Sequence, residues 1–90
     1  MEEKYEKFLV TLRESSKWPS VYLFKFIVPA DNDKIARVEA LFDSKTAEIK
    51  LKTSSKGKFV SVSAKEIMLT PEAVVEKYVE ASNIEGLIAL

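Results

Sequence analysis

Thr53-Ser54-Ser55-Lys56-Gly57-Lys58-Phe59-Val60-Ser61-Val62-Ser63 lies past the middle of a 90-residue chain and reads as the turn of a β-hairpin running into its second strand. Gly57 can take the positive φ that a tight turn asks for. Beyond it Val60, Val62 and Ala64 alternate with Phe59, Ser61, Ser63 and Lys65, the two-residue period of a strand over 58–66. Ahead of it Ala47, Ile49 and Leu51 alternate with Glu48, Lys50 and Lys52. Lysines on the outward side suit an edge strand, because they resist pairing with other chains.

Outward from the hairpin the period becomes helical on both sides. Asp31-Asn32-Asp33 supplies capping groups, and Ile35, Val38, Leu41 and Phe42 follow at helical spacing, which predicts a helix over 33–42. Thr70-Pro71-Glu72 combines a capping hydroxyl, a proline at the first helical position and an acid in the first turn. Val74, Val75, Tyr78 and Val79 give that helix its apolar stripe, opposite Glu72, Glu76 and Glu80. Farther out, 21–28 reads as a strand with Tyr22, Phe24, Phe26 and Val28 turned to the core and Leu23, Lys25 and Ile27 turned away. Ile84 to Leu90 reads as a final apolar strand.

The order strand, helix, strand, strand, helix, strand is the βαββαβ pattern of a ferredoxin-like α+β sandwich. Its four-stranded antiparallel sheet is expected in the order 4-1-3-2, with two helices on one face and the other face open. Residues 17–90 form this domain. Residues 1–16 form an N-terminal extension, an amphipathic helix with Tyr5, Phe8, Leu9 and Leu12 at i, i+3, i+4 and i+7, broken before Pro19.

Composition removes several classes of function. Fourteen basic and fourteen acidic side chains cancel, so no global field draws the chain to nucleic acid or a membrane. Locally, residues 45–65 hold six lysines against Glu48 alone, whereas 66–90 hold five glutamates against Lys77. The absence of cysteine excludes disulfides, thiolate catalysis and cysteine-bound clusters, and the absence of histidine removes the commonest general base and metal ligand. No metal or other cofactor is expected, and neither is an enzyme. The N-terminal residues lack a basic start and apolar run, and no apolar run reaches the length of a membrane span, so a cytoplasmic protein is expected.

Two binding surfaces stand out. Lys25, Ser54, Ser55, Lys56, Gly57, Lys58, Phe59, Ser61 and Ser63 gather ammonium and hydroxyl donors around the hairpin, which suit a phosphate or carboxylate. Lys56-Gly57-Lys58-Phe59-Val60 superficially resembles the motif of RNA-recognition modules. Those modules need two aromatics two residues apart on the open face, and here Lys58 and Val60 hold those places. The open face has an apolar surface of its own, with Leu23, Ile27, Phe59, Leu87 and Ala89 expected to converge on it. Tyr5, Phe8, Leu9 and Leu12 of the extension are expected to cover that patch, within the chain or across a homodimer.

Trp18-Pro19, Tyr22-x-Phe24-Lys25 and above all residues 54–63 resemble the YbeD-like family of small bacterial proteins, a resemblance that covers about residues 18–90. It implies a ferredoxin-like fold similar to the ACT regulatory domains, which bind small metabolites, often amino acids, at subunit interfaces. Where ACT domains commonly place a glycine after the first strand, this chain has Val28-Pro29-Ala30. The expected function is a non-enzymatic binding or regulatory module with a protein or small-metabolite partner. The alternative is an RNA- or phosphate-ligand binder that uses the basic hairpin from Lys50 to Lys58.

Overall fold

A computed structural model describes residues 2–90 as α1 (Glu3–Ser15), β1 (Ser20–Pro29), α2 (Asn32–Glu39), β2 (Glu48–Thr53), β3 (Phe59–Met68), α3 (Pro71–Ala81) and β4 (Ile88–Ala89). The four strands form one antiparallel sheet in the order β2-β3-β1-β4. This is the ferredoxin-like arrangement with a helix added in front.

The long central pair sets the register. Phe24 lies opposite Ala64, Phe26 opposite Val62 and Val28 opposite Val60, and all six side chains are buried on one face. Against that face pack Val38 and Phe42 from α2 and its following turn, and Val74 and Val75 from α3. The helices begin where local chemistry dictates. The Asp31 carboxylate accepts from the backbone N–H groups of Asp33 and Lys34, and Thr70 Oγ1 accepts from Ala73 N ahead of Pro71. Each bond satisfies donors that a helix start otherwise leaves unpaired.

The structure differs from the sequence-based expectation at four points. First, α1 does not lie over the open face. It packs beside α3, with Leu12 only 6% exposed inside the core and Tyr5, Phe8 and Leu9 against that core. Phe8 meets the Tyr78 ring edge-on at 5.2 Å. The reason is geometric: two crossover helices leave the β1 flank of the core uncovered, and Tyr22 and Tyr78 present an aromatic wall there. Trp18, ahead of a cis peptide bond to Pro19, fixes the turn out of α1 by donating its indole N–H to Leu12 O at 3.2 Å.

Second, β4 is far shorter than the apolar run of 84–90 suggests. Ile84 is buried in a turn after α3, and only Ile88 and Ala89 join the sheet, with Leu90 N donating to Lys25 O at 2.9 Å. Third, that shift moves the β4 side chains by one position. Ala89 sits opposite core-facing Phe26 and Leu87 packs against the core, so Ile88 takes the open-face place opposite Ile27. The second helix also closes at Glu39, three residues short of the expected 42, with Leu41 and Phe42 in the turn beyond.

Candidate functional site

Side chains at odd positions of β1 and β3 face away from the helices, so the register lays out the open face in rows. Lys52, Ser61, Ile27 and Ile88 form one row across all four strands. Lys50, Ser63 and Lys25 form the next, and Glu48, Lys65 and Leu23 the third. Ile67 and Val21 close one end, and Phe59 opposite Pro29 stands at the other. Residues directly opposite in such a ladder have Cβ atoms about 4.5–5.5 Å apart, so each row is a set of touching neighbours.

This face is apolar and wet. Leu23 is 61% exposed and Ile67 64%, with Val21, Ile88 and Phe59 also open to water. Lysines stand among them. Lys50 Nζ meets Glu48 Oε1 at 3.5 Å, while Lys25, Lys52 and Lys65 form no ion pair among the described residues. The balance of charge on the face is therefore positive. A shallow depression of about 320 Å³ runs between Leu23, Lys50, Ser63 and Lys65, and a second of about 470 Å³ lies over Ile27, Lys52, Ser55, Phe59 and Ser61.

The hairpin that carries the sequence-based candidates is held by its own bonds. Gly57 has φ of 73° and donates to Ser54 O at 2.9 Å. Ser54 Oγ accepts from Phe59 N at 3.1 Å, and Ser61 Oγ donates to Lys52 O at 3.4 Å. Ser54 and Ser61 thus spend hydroxyl capacity on the turn and the β2–β3 ladder. Lys58 O accepts from Ala30 N at 2.9 Å, which ties the hairpin to the loop after β1. Lys25, Phe59, Ser61 and Ser63 share the open face, whereas Lys56 and Lys58 are exposed at the tip beyond it. The structure brings Leu23, Ile27 and Phe59 onto one surface and leaves Leu87, Tyr5, Phe8, Leu9 and Leu12 on the helical side of the sheet.

Val21, Ile67 and Ile88 belong to the face and were not among the candidates. The alternation through Ser61, Ser63 and Lys65 continues to Ile67 once the strand is followed past Glu66, and Val21 follows as its cross-strand partner. Ile88 carries no comparable signal, because its side depends on where β4 joins. The helical side holds an ion pair that was also not anticipated, Arg13 Nη2 to Glu72 Oε2 at 3.5 Å, joining α1 to α3.

Among the described residues no helix is long and apolar enough to cross a membrane, and no group of three or more acidic side chains converges as a metal site would. Chemically the face offers apolar contact and ammonium and hydroxyl donors. No curated protein and no solved structure matches the chain. A family model described as a protein of unknown function (DUF493) matches residues 13–88, which leaves most of α1 outside the match and places the chain in the DUF493 family.

Proposed function

We propose that this protein is a non-enzymatic binding module of the cytoplasm, regulatory in role, that engages a protein partner through the open face of its sheet. One observation carries the reading: the core is complete behind the sheet, yet Val21, Leu23, Ile67 and Ile88 stay in water in front of it. Contiguous exposed apolar surface of this kind marks interaction sites. Fully burying one such side chain contributes about 1.5–3 kcal/mol. Lys25, Lys52 and Lys65 among them favour a partner whose apolar contact surface is bordered by carboxylates. The resemblance to the YbeD-like family, similar in fold to ACT regulatory domains, supports a regulatory binder.

Paired capture from cells of the source organism tests this, with the wild-type chain and a Leu23→Thr/Ile67→Thr variant as baits. Threonine keeps strand propensity and removes the apolar surface. The expected result is a protein held by the wild type and released by the variant, with both baits equally folded by circular dichroism. Identical captures contradict the reading.

A second reading has its own observation, the row of Lys50, Ser63 and Lys25 with Lys52 alongside and Lys56 and Lys58 at the hairpin tip. These donors suit a phosphate, and an RNA backbone supplies phosphates in series. Binding of a single-stranded RNA oligomer would then weaken linearly in log affinity with log salt. No retention on a polyanion column at low salt removes this reading.

A further inference from the structure

On the other side of the sheet, a cleft of about 510 Å³ opens between α1, α3 and the end of β4. That volume is in the range of small-molecule sites, roughly 300–1,000 Å³. Four aromatic side chains form its walls, Tyr5 and Phe8 from α1, Tyr22 from β1 and Tyr78 from α3, with Leu87, Ala89 and Leu90 beside them. Phe8 meets Tyr78 edge-on at 5.2 Å, and Tyr22 meets it edge-on at 6.3 Å.

The polar side chains of the cleft are few: Lys4, Tyr5, Tyr22, Tyr78 and Ser82. The hydroxyls of Tyr22 and Tyr78 lie 3.0 Å apart. One hydrogen serves that bond, which leaves the second phenolic O–H without a protein acceptor among the described residues. Burial pushes the Tyr78 phenol upward from its ordinary value, so it remains a neutral donor at physiological pH. Ser82 Oγ is engaged with Val79 O at 2.6 Å. Lys4 also lines the cleft, its ammonium 5.0 Å from the Tyr5 ring centroid and 3.6 Å from the Glu2 carboxylate. Lys4 is the one charged side chain among the lining residues, so the charge inside the cleft is positive.

We infer that this cleft binds a small monocarboxylic acid with an aromatic or branched apolar body. The body lies against Phe8, Tyr5 and Leu87, and the carboxylate is held by the free phenolic O–H and Lys4. The carboxylate replaces Glu2 at Lys4, an exchange that costs little because the Lys4–Glu2 pair is largely solvent-exposed. The Lys4 ammonium repels amines and the ammonium group of zwitterionic amino acids. The site is separated from the open face by the full thickness of the sheet, so it stands or falls independently of the protein-partner reading.

The test is a titration of the full chain, followed by amide and aromatic NMR shifts. The probes are phenylacetate, 3-phenylpropionate, 4-methylpentanoate and octanoate, with 3-phenylpropylamine and phenylalanine as counter-probes. At least one carboxylate is expected to give saturable shifts at Phe8, Tyr22 and Tyr78 and to bind about tenfold or more tightly than either counter-probe, a difference of about 1.4 kcal/mol. Lys4→Gln alters an exposed side chain, and Tyr22→Phe/Tyr78→Phe keeps both rings. Each is expected to weaken the carboxylate about tenfold, and neither is expected to weaken the amine. The proposal is overturned if no carboxylate saturates, if the amine binds equally well, or if both variants bind like the wild type.

Discussion

Phe24 is fully buried, and its ring lies 4.7 Å from Tyr22, 5.2 Å from Phe42 and 5.5 Å from Tyr78, so a single side chain joins β1 to α3 and to the turn that follows α2. Phe24→Ala should therefore cost about 3–5 kcal/mol in urea unfolding, much of the roughly 5–15 kcal/mol that holds a domain folded. At Tyr78 the expected effect depends on pH. Burial, and then the hydrogen bond to Tyr22, raise this phenol above its ordinary pKa of 10.0. A group held neutral in the folded chain and free to ionise in the unfolded one stabilises the fold fully below about pH 10 and loses that contribution as pH rises further. Thermal melts above about pH 10 should accordingly fall more steeply for the wild type than for Tyr78→Phe. The inward side of Phe24 was legible, because alternation through Tyr22, Phe26 and Val28 admits one core face. The Tyr22–Tyr78 hydroxyl pair was not legible, since it joins residues 56 positions apart whose approach depends on how α3 crosses β1.

Elements show where local signals suffice. The hairpin, the two crossover helices and the three long strands all follow from period and cap, because each is defined by residues within a few positions of one another. Two glycines separate local conformation from packing. Gly57 has φ of 73° and nothing near the place of a Cβ, whereas Gly86 has φ of 84° and a Cβ there would lie 2.9 Å from Pro29 Cγ. Gly57→Ala should cost about 1 kcal/mol by backbone strain alone, and Gly86→Ala measurably more, compared by chemical denaturation. Helix α1 is the element whose place was misread. Its stripe of Tyr5, Phe8, Leu9 and Leu12 identifies a buried face without identifying what buries it, and two apolar surfaces competed for it. The flank at Tyr78 and Tyr22 won, with Trp18 and the Arg13–Glu72 pair holding the helix there. Deleting residues 2–16 should destabilise the fold by about 3 kcal/mol or more, from the burial of Leu12 and Phe8 alone. An unchanged melting temperature would contradict this packing.

For the molecule as a whole, the sheet separates two kinds of surface. Aromatic side chains, Lys4 and α1 close over the helical side, while the open side keeps apolar and basic groups in water. Leu23, Ile27 and Phe59 were legible as parts of that open side, since alternation gives the face of each. Leu87 and Ala89 were assigned to it wrongly, because one residue of slip in β4 exchanges the faces and the apolar run of 84–90 does not fix where pairing begins. The central claim is that a partner binds this face, and methyl NMR of the full chain during titration with the captured partner tests it most directly. The account predicts shifts at Val21, Leu23, Ile67 and Ile88 that saturate together while Val10 and Val79 on the helical side stay still. Saturating shifts at Val10 and Val79 with the four open-face methyls unmoved would contradict it.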